Sequence, residues 1–347
     1  MPTNPRNYYP SLAVGFAPEG TPLNVSGYRA AKGVQSYSVT TNFNLEAISQ
    51  LGQLEIYENV EGIPSVEMTI EKVIDGRPLI QHLATPTATN SSLGGRYNNT
   101  KCMVVAPRYN VTQEFASGVP LSVDLFSGMY VNSINFNIPV EGNMTESVTL
   151  VGNDKTLSTG TSYGNVFTTG TLFTGNESPI LSSGGVQRRE NISMTRSRWP
   201  LSVPGISGLA LSGVNPTLAD GSLGAHIQNV SIAMNLGRTE LFELGRRGPY
   251  FRFANFPVEV TCTIEVTANE FGDSVNAAQE GTNLIDERIF VALDQGITID
   301  LGTKNKLRSI NVNGGDTGGG NQTVSYEYFN LNSMRVVASG DPAGLTS

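Results

Sequence analysis

Two segments of the chain alternate between apolar and polar residues in the same order, at a spacing of 193 residues. Each segment has one alternating stretch, then a short apolar stretch and a turn, then a second alternating stretch. Without a gap, residues 35–64 match residues 228–257 at Gln, Ser, Asn, Leu, Gly, Tyr and Pro positions. Such agreement at a constant spacing indicates one supersecondary unit used twice, and repeated units favour a ring or tube.

The first unit predicts two strands and two short helices. Residues 35–43 and 66–73 alternate with period two, which is typical of half-buried strands. Between them, Asn44 is a suitable cap for a short helix over residues 45–51, which Gly52 would end. A second helix is predicted over residues 75–84.

The second unit predicts the same plan. Residues 230–236 and 258–266 alternate as strands, and the leucines of residues 241–244 indicate a short helix before Gly245. Beyond the matched prolines the copies agree only if Ser65 is skipped.

Three more regions carry strand signals. A weaker third copy alternates over residues 131–138 and leads through a glycine turn to residues 147–151, which predicts a hairpin. Further strands are predicted within residues 290–301 and 324–337, with the glycine-rich segment 313–321 as a loop between strands.

Each alternating strand has one apolar and one polar face. Such a sheet covers a core with one face and meets water with the other. If copies of the chain close a ring, neighbouring copies cover the strand edges, and the polar faces line a water-filled channel. The residues predicted to line it are Ser36, Ser38, Thr40, Asn42, Glu67, Glu71, Glu259, Thr261, Thr263 and Glu265.

The first 33 residues predict an extended N-terminal arm, because prolines punctuate them. The arm's aromatic rings need a covering surface, on their own subunit or on a neighbouring copy, and we expect inter-subunit contacts from Tyr8, Tyr9, Phe16 and Tyr28. Residues 34–347 are predicted to form one β domain, with the repeated units at about 34–76 and 227–269. Residues 153–222 form an insertion-rich region, and residues 86–127 have no assigned role.

Composition limits the possible functions. The 347 residues carry a formal net charge of −8, which disfavours a basic nucleic-acid binder, and 15% of them are charged. Cys102 and Cys262 are too few for a disulfide framework, so cytosolic assembly is favoured over secretion. Neither a signal peptide nor an apolar membrane span is recognisable.

The sequence predicts no enzyme, cofactor or metal site. His82 and His226 lack neighbouring ligands at metal-binding spacing, and a G-x-S-x-G motif is absent. The carboxylates alternate with apolar residues, as on a solvated sheet face. The basic cluster of Arg188, Arg189, Arg196 and Arg198 either pairs with acidic neighbours or docks a second protein.

Several segments of the chain resemble the phage tail tube proteins. They cover about a third of the chain and read SYSVTTNFNLEAISQLG, PSVEMTIEKVIDG, YVNSINFNIPVEGNMTESVTLVGN and NVSIAMNLGRTELFELGRRGPYFRFANFPVEVTCTIEV. The resemblance implies a mainly β fold, a β-sandwich with short flanking helices whose strands close into a ring-shaped β-barrel on oligomerisation. It also implies hexameric rings that stack into a virion tail tube, assembled in the host cytoplasm, through which phage DNA is ejected.

The partners implied by this resemblance are further copies of the chain and other tail proteins. The candidates are the sheath, tape measure, tail terminator and baseplate hub, while DNA passes without specific binding and no membrane is involved. Within the same virion, the repeat could instead indicate a tube-initiating hub or baseplate protein that supplies two tube domains per chain to a trimer. Only about two clear strands per unit argue against that alternative. A tube of a DNA-free contractile injection system is another reading, and a secreted β-rich glycan-binding or hydrolytic protein lies outside this class.

Overall fold

The fold is described from a computed structural model. It describes residues 9–20, 28–31, 33–75, 79, 90–92, 102–109, 120–159, 185–194, 198–203, 206, 226–267, 284–294, 297–315 and 320–337.

The described residues are mainly β, which confirms the predicted class. Ten strands precede residue 153: β1 (Gly15–Pro18), β2 (Arg29–Ala30), β3 (Val34–Asn42), β4 (Leu45–Ser49), β5 (Ile56–Glu61), β6 (Ser65–Val73), β7 (Asn90–Ser92), β8 (Cys102–Arg108), β9 (Ser122–Pro139) and β10 (Thr145–Gly152). Ten follow: β11 (Asp154–Thr159), β12 (Ile227–Asn235), β13 (Arg238–Leu241), β14 (Phe251–Ala254), β15 (Glu259–Thr267), β16 (Phe290–Ala292), β17 (Thr298–Asp300), β18 (Lys306–Asn313), β19 (Thr323–Leu331) and β20 (Arg335–Val337).

Helix is sparse in the described part. It consists of the single-turn 3-10 helices Tyr9–Ser11 and Arg189–Asn191, of Arg198 and Ile206 in 3-10 conformation, and of Leu79, which is helical and buried. Most of the helix predicted over residues 75–84, including His82, lies outside the described residues. In the described part, no helix has the length and apolar character needed to cross a membrane.

Eight antiparallel strands form the main sheet, in the order β18-β19-β15-β12-β9-β10-β6-β3. Their apolar faces share one core, to which β16, β17 and β20 of a second sheet contribute. This places one face of the main sheet against a second layer, as in a sandwich. The opposite face carries no such layer among the described residues.

Strand β9 joins the main sheet to a smaller one. Its C-terminal half pairs with β10 and β12, while its N-terminal half pairs with β8 and β11. Strand β1 pairs with β8 and with β2. The N-terminal segment, predicted as an extended arm, is therefore part of a sheet. Pro18 stands at the end of β1, where a missing N–H interrupts little pairing.

The two copies of the repeat begin with equivalent strands. β3 and β12 each have nine residues and lie at the spacing read from the sequence. At the end of each, an Asn side chain accepts a hydrogen bond from the backbone two residues on. Asn42 Oδ1 accepts from Asn44 N at 3.0 Å, and Asn235 Oδ1 from Gly237 N at 3.0 Å.

The short helices predicted inside the two units are wrong, because both segments form β-hairpins. β4 pairs with β5, and β13 pairs with β14. Gly52 and Gly245, predicted to end helices, have φ values of 88° and 82° and lie in the turn regions of these hairpins. An isolated seven-residue helix is marginal in water, whereas the adjacent strand supplies backbone partners.

The two copies differ in length by one residue, in the opposite sense to the predicted skip of Ser65. Val39 lies opposite Met68 in the first copy, and Ile232 lies opposite Cys262 in the second. The segment between the paired positions is thus one residue longer in the second copy than in the first.

The regions 290–301 and 324–337, each predicted to contain strand, both contain two separate strands.

Candidate functional site

All ten residues predicted to line a channel lie on the polar face of the main sheet. Pairing connects them across the sheet: Ser36 lies opposite Glu71, which lies opposite Ser147 of β10, and Thr261 lies opposite Ala233 of β12. The eight strands therefore present one continuous surface rich in Ser, Thr, Asn and Glu. The channel would form only between copies of the chain, so the position of this surface on a channel wall stays a prediction.

This polar face carries carboxylates on β6, β15 and β19. Glu67, Glu71, Glu259 and Glu265 are joined by Glu327 of β19, which lies opposite Thr263 and which the sequence analysis missed. The face's cations are concentrated on β18 at one edge. There Arg308 forms ion pairs with Glu259 and, at 3.4 Å, with Glu327.

The main sheet ends in two open edges. β3 pairs with β6 and β18 pairs with β19, and within the described part neither has a partner on its outer side. Both strands are long, with nine and eight residues. A long open edge offers a row of backbone donors and acceptors to another chain.

Both hairpins leave the main sheet at the same rim. The strand order makes β3 and β12 run in the same direction, and each hairpin follows the C-terminal end of one of them. An ion pair of 3.4 Å between Arg247 and Glu61 links the second hairpin's loop to the end of β5. The rim is exposed and apolar, with large side chains at Phe43, Leu45, Ile48, Leu51, Leu54, Ile56, Tyr57, Val60, Phe242, Leu244 and Tyr250. Many large exposed apolar side chains in one region are typical of a protein contact site.

A buried and a half-buried arginine fix the base of the second hairpin. Arg252 forms an ion pair with Glu240 and donates a hydrogen bond of 2.9 Å to Asn153 Oδ1. Arg238 donates to Val131 O at 2.7 Å and lies 5.4 Å from the ring centroid of Tyr130. Burial lowers the pKa of Arg238 to about 10, which still leaves the guanidinium charged at neutral pH. The hairpin is thus held against β9 by charged groups.

The aromatic residues of the N-terminal segment divide into two groups. Phe16 and Tyr28 have exposures of 2% and 3% within a single chain, so they have no free surface for a second copy. Tyr9 is 77% exposed and stays a predicted inter-subunit contact. Tyr8 lies outside the described residues.

The cysteines and the described arginines of the basic cluster contact other parts of their own chain. Burial raises the pKa of Cys102 and of Cys262 to about 12, consistent with core thiols. Arg188 donates to Asn143 Oδ1 at 3.1 Å, and Arg198 donates to Ser193 and lies over Phe290. Arg196 lies outside the described residues. Within the described part, no three His, Cys, Asp or Glu side chains are grouped as metal ligands would be.

The structure also shows a second pair of repeated strands that the sequence analysis missed. Residues 133–137 of β9 read SINFN and residues 309–313 of β18 read SINVN. The match between SINFN and SINVN is visible in the sequence, but the spacing of these two segments differs from that of the first repeat. A search at one constant spacing therefore misses this match.

Comparison with known proteins finds distant structural matches. Neither a family model nor a curated protein sequence matches the chain. Among solved structures, the tube-terminating cap of the anti-feeding prophage matches with a TM-score of 0.33 and 14% identity, over 46% of this chain and 95% of the cap. Hcp1 from Salmonella typhimurium matches with a TM-score of 0.22 and 10% identity, over 43% of this chain and 95% of Hcp1. At such low scores neither match decides the fold or the function.

Proposed function

We propose that the chain is a structural subunit of a hollow phage tail tube, and that its polar sheet face lines the channel. The observation that carries the proposal is the eight-stranded main sheet, which has one polar face with carboxylates on three strands and two long open edges. Further copies of the chain would cover both edges and leave the polar face toward water. The role is structural and requires neither catalysis nor a cofactor.

Each chain supplies two tube units in this proposal. The main sheet divides into two four-stranded halves, β3-β6-β10-β9 and β12-β15-β19-β18. Each half has four strands, two more than the two clear strands that the sequence predicts for each unit. The hexameric ring implied by the resemblance to tail tubes becomes a ring of six units, built from three chains.

The charge of the polar face suits a conduit for DNA. Carboxylates repel phosphates, so DNA would move along the channel wall without binding to it. At physiological salt this repulsion reaches about 8 Å, and it acts on DNA close to the wall. Sheath, tape measure, terminator and baseplate hub are the proposed neighbours in the virion.

Two units per chain also favour a second candidate, the tube-initiating hub or baseplate protein. A hub would form one discrete ring and recruit tube subunits on one side. The exposed apolar rim fits both candidates, because either would contact a further ring there. The two differ in whether the purified chain polymerises alone.

Electron microscopy of the negatively stained, purified full chain tests the proposal. We expect long hollow tubes. Discrete rings would instead assign the chain to the hub, and small compact particles would reject both candidates in favour of the secreted β-rich class.

The double substitution Leu51→Ser and Leu54→Ser tests whether the exposed rim contributes to tube formation. Both leucines are fully exposed, so the subunit should keep its stability. Burial of one leucine contributes about 1.5–3 kcal/mol, so the variant should raise the protein concentration needed for tube formation at least ~tenfold. Leu157→Ser on β11 is the control, an exposed leucine that belongs to neither hairpin. Equal tube formation by both variants would contradict the rim's role.

A further inference from the structure

We propose that β3 of one copy pairs antiparallel with β18 of the next copy, in the register that β12 and β9 have within one chain. The proposal deepens the proposed function, since it names the contact that closes the ring. It commits to a second copy of this chain as the partner of both open edges. The argument comes from the internal repeat.

The two halves of the main sheet are related by translation. The order β18-β19-β15-β12 continues directly into β9-β10-β6-β3. In this order β12 corresponds to β3, β15 to β6, β19 to β10 and β18 to β9. The junction between β12 and β9 therefore joins the last strand of one half to the first strand of the other. The two free edges are again a last strand, β3, and a first strand, β18.

A shared irregularity supports this correspondence. The pairing of β10 with β9 shifts register after the pair Thr149–Ser133. The pairing of β19 with β18 shifts after the pair Glu327–Ser309. Those pairs occupy equivalent positions, and each Ser begins one of the matching segments SINFN and SINVN. A bulge bends its strand locally, so β9 and β18 present similarly shaped edges.

The internal junction specifies which residues would meet between copies. Within one chain, Ile232 lies opposite Phe136 and Ala233 lies opposite Asn135. The equivalent pairs between copies are Val39 with Val312, and Thr40 with Asn311. A shift by one residue would turn the apolar face of one strand toward the polar face of the other, so a buried core favours this register.

Burial at the two edges agrees with a missing partner. At the internal junction, Phe136 is 1% exposed and Ile232 is 0% exposed. Their equivalents at the edges are less covered: Val312 is 49% exposed, and Val39 is half-buried. Pairing between copies would bring both valines into the position that Phe136 and Ile232 already occupy.

The partner edge is β18 and not a second β3. Pairing between identical edges produces a closed dimer, in which the other edges stay open. Head-to-tail pairing repeats the junction that one chain already contains, and it continues until the ring closes. It also continues the polar face without interruption, because Thr40 and Asn311 both belong to that face.

Disulfide cross-linking tests the register. The double variant Thr40→Cys and Asn311→Cys places two exposed thiols directly opposite each other between copies. Opposed residues of antiparallel strands have Cα atoms about 4.5–5.5 Å apart, which suits a disulfide. Under a mild oxidant we expect a ladder of covalent dimers and trimers on a denaturing gel, which a reductant removes. The native cysteines are buried, so the parent chain should give a single band.

The matched control is Asn42→Cys with Asn311→Cys, which shifts one thiol by two residues on the same face. Its Cα separation would be about 7–8 Å, too long for efficient bonding. Preferential cross-linking of this control would overturn the register. Dimers formed by Thr40→Cys alone would show identical edges meeting and would overturn the head-to-tail contact.

Electron microscopy of the same samples distinguishes a wrong edge register from a wrong tube function. Tubes without the expected cross-link would overturn the edge register and leave the tube function standing. Compact particles without cross-links would overturn both. Tubes with the ladder support both.

Discussion

Ile264→Asp should prevent soluble folding. Ile264 is fully buried in β15, an inner strand of the main sheet, where it lies between Val230 of β12 and Tyr326 of β19. An unpaired carboxylate in such a position costs several kcal/mol, which is comparable to the whole free energy of unfolding of a typical domain. We expect the variant in the insoluble fraction, measured as the soluble yield against the parent chain.

The matched control is Thr263→Asp, one residue away on the polar face. It lies opposite Glu327, so the added charge should reduce stability by about 0.2–1 kcal/mol, and the protein should still fold and assemble. Equal yields of the two variants would contradict the assignment of the two faces.

Phe16→Ala should strongly destabilise the subunit. Phe16 lies opposite Val104 in the pairing of β1 with β8, and its side chain is buried in the main core. Truncating a buried phenylalanine costs about 3–5 kcal/mol, because contacts are lost and a cavity remains. The loss should appear as a lower denaturant midpoint in equilibrium unfolding.

Tyr9→Ala is the control for this prediction, because Tyr9 lies in the same segment but is exposed. Its effect on the free energy of unfolding should stay within about 0.5 kcal/mol. If Phe16→Ala kept the parent midpoint and lost only assembly, the N-terminal segment would dock on a neighbouring copy, as the sequence alone suggested.

Strict alternation made the strands of the main sheet predictable. β6, β12 and β15 each bury one face and β3 half-buries one, and period two is a strong signal when one face is apolar and the other polar. The ten polar residues could be assigned to one side for the same reason. Nothing in that pattern shows which strands are neighbours, so the halves of the sheet became visible only in the structure.

The hairpins were misread because their apolar residues face solvent. Ile48 and Leu51 lie three residues apart, which fits the inner face of a helix, yet both are exposed in the structure. Sequence reasoning assumes that apolar residues are covered within their own chain. An assembly surface breaks that assumption, and local spacing then supports the wrong element. The N-terminal segment was misread in the opposite sense, since Phe16 and Tyr28 are covered by their own chain.

A cryo-electron microscopy reconstruction of the assembled full-length chain tests the tube assignment most directly. It should show a hollow tube whose rings each contain three chains, with β3 of every copy beside β18 of the next and Glu67, Glu71, Glu259 and Glu265 on the inner wall. Compact particles without a channel, or a tube with these carboxylates on its outer surface, would contradict it.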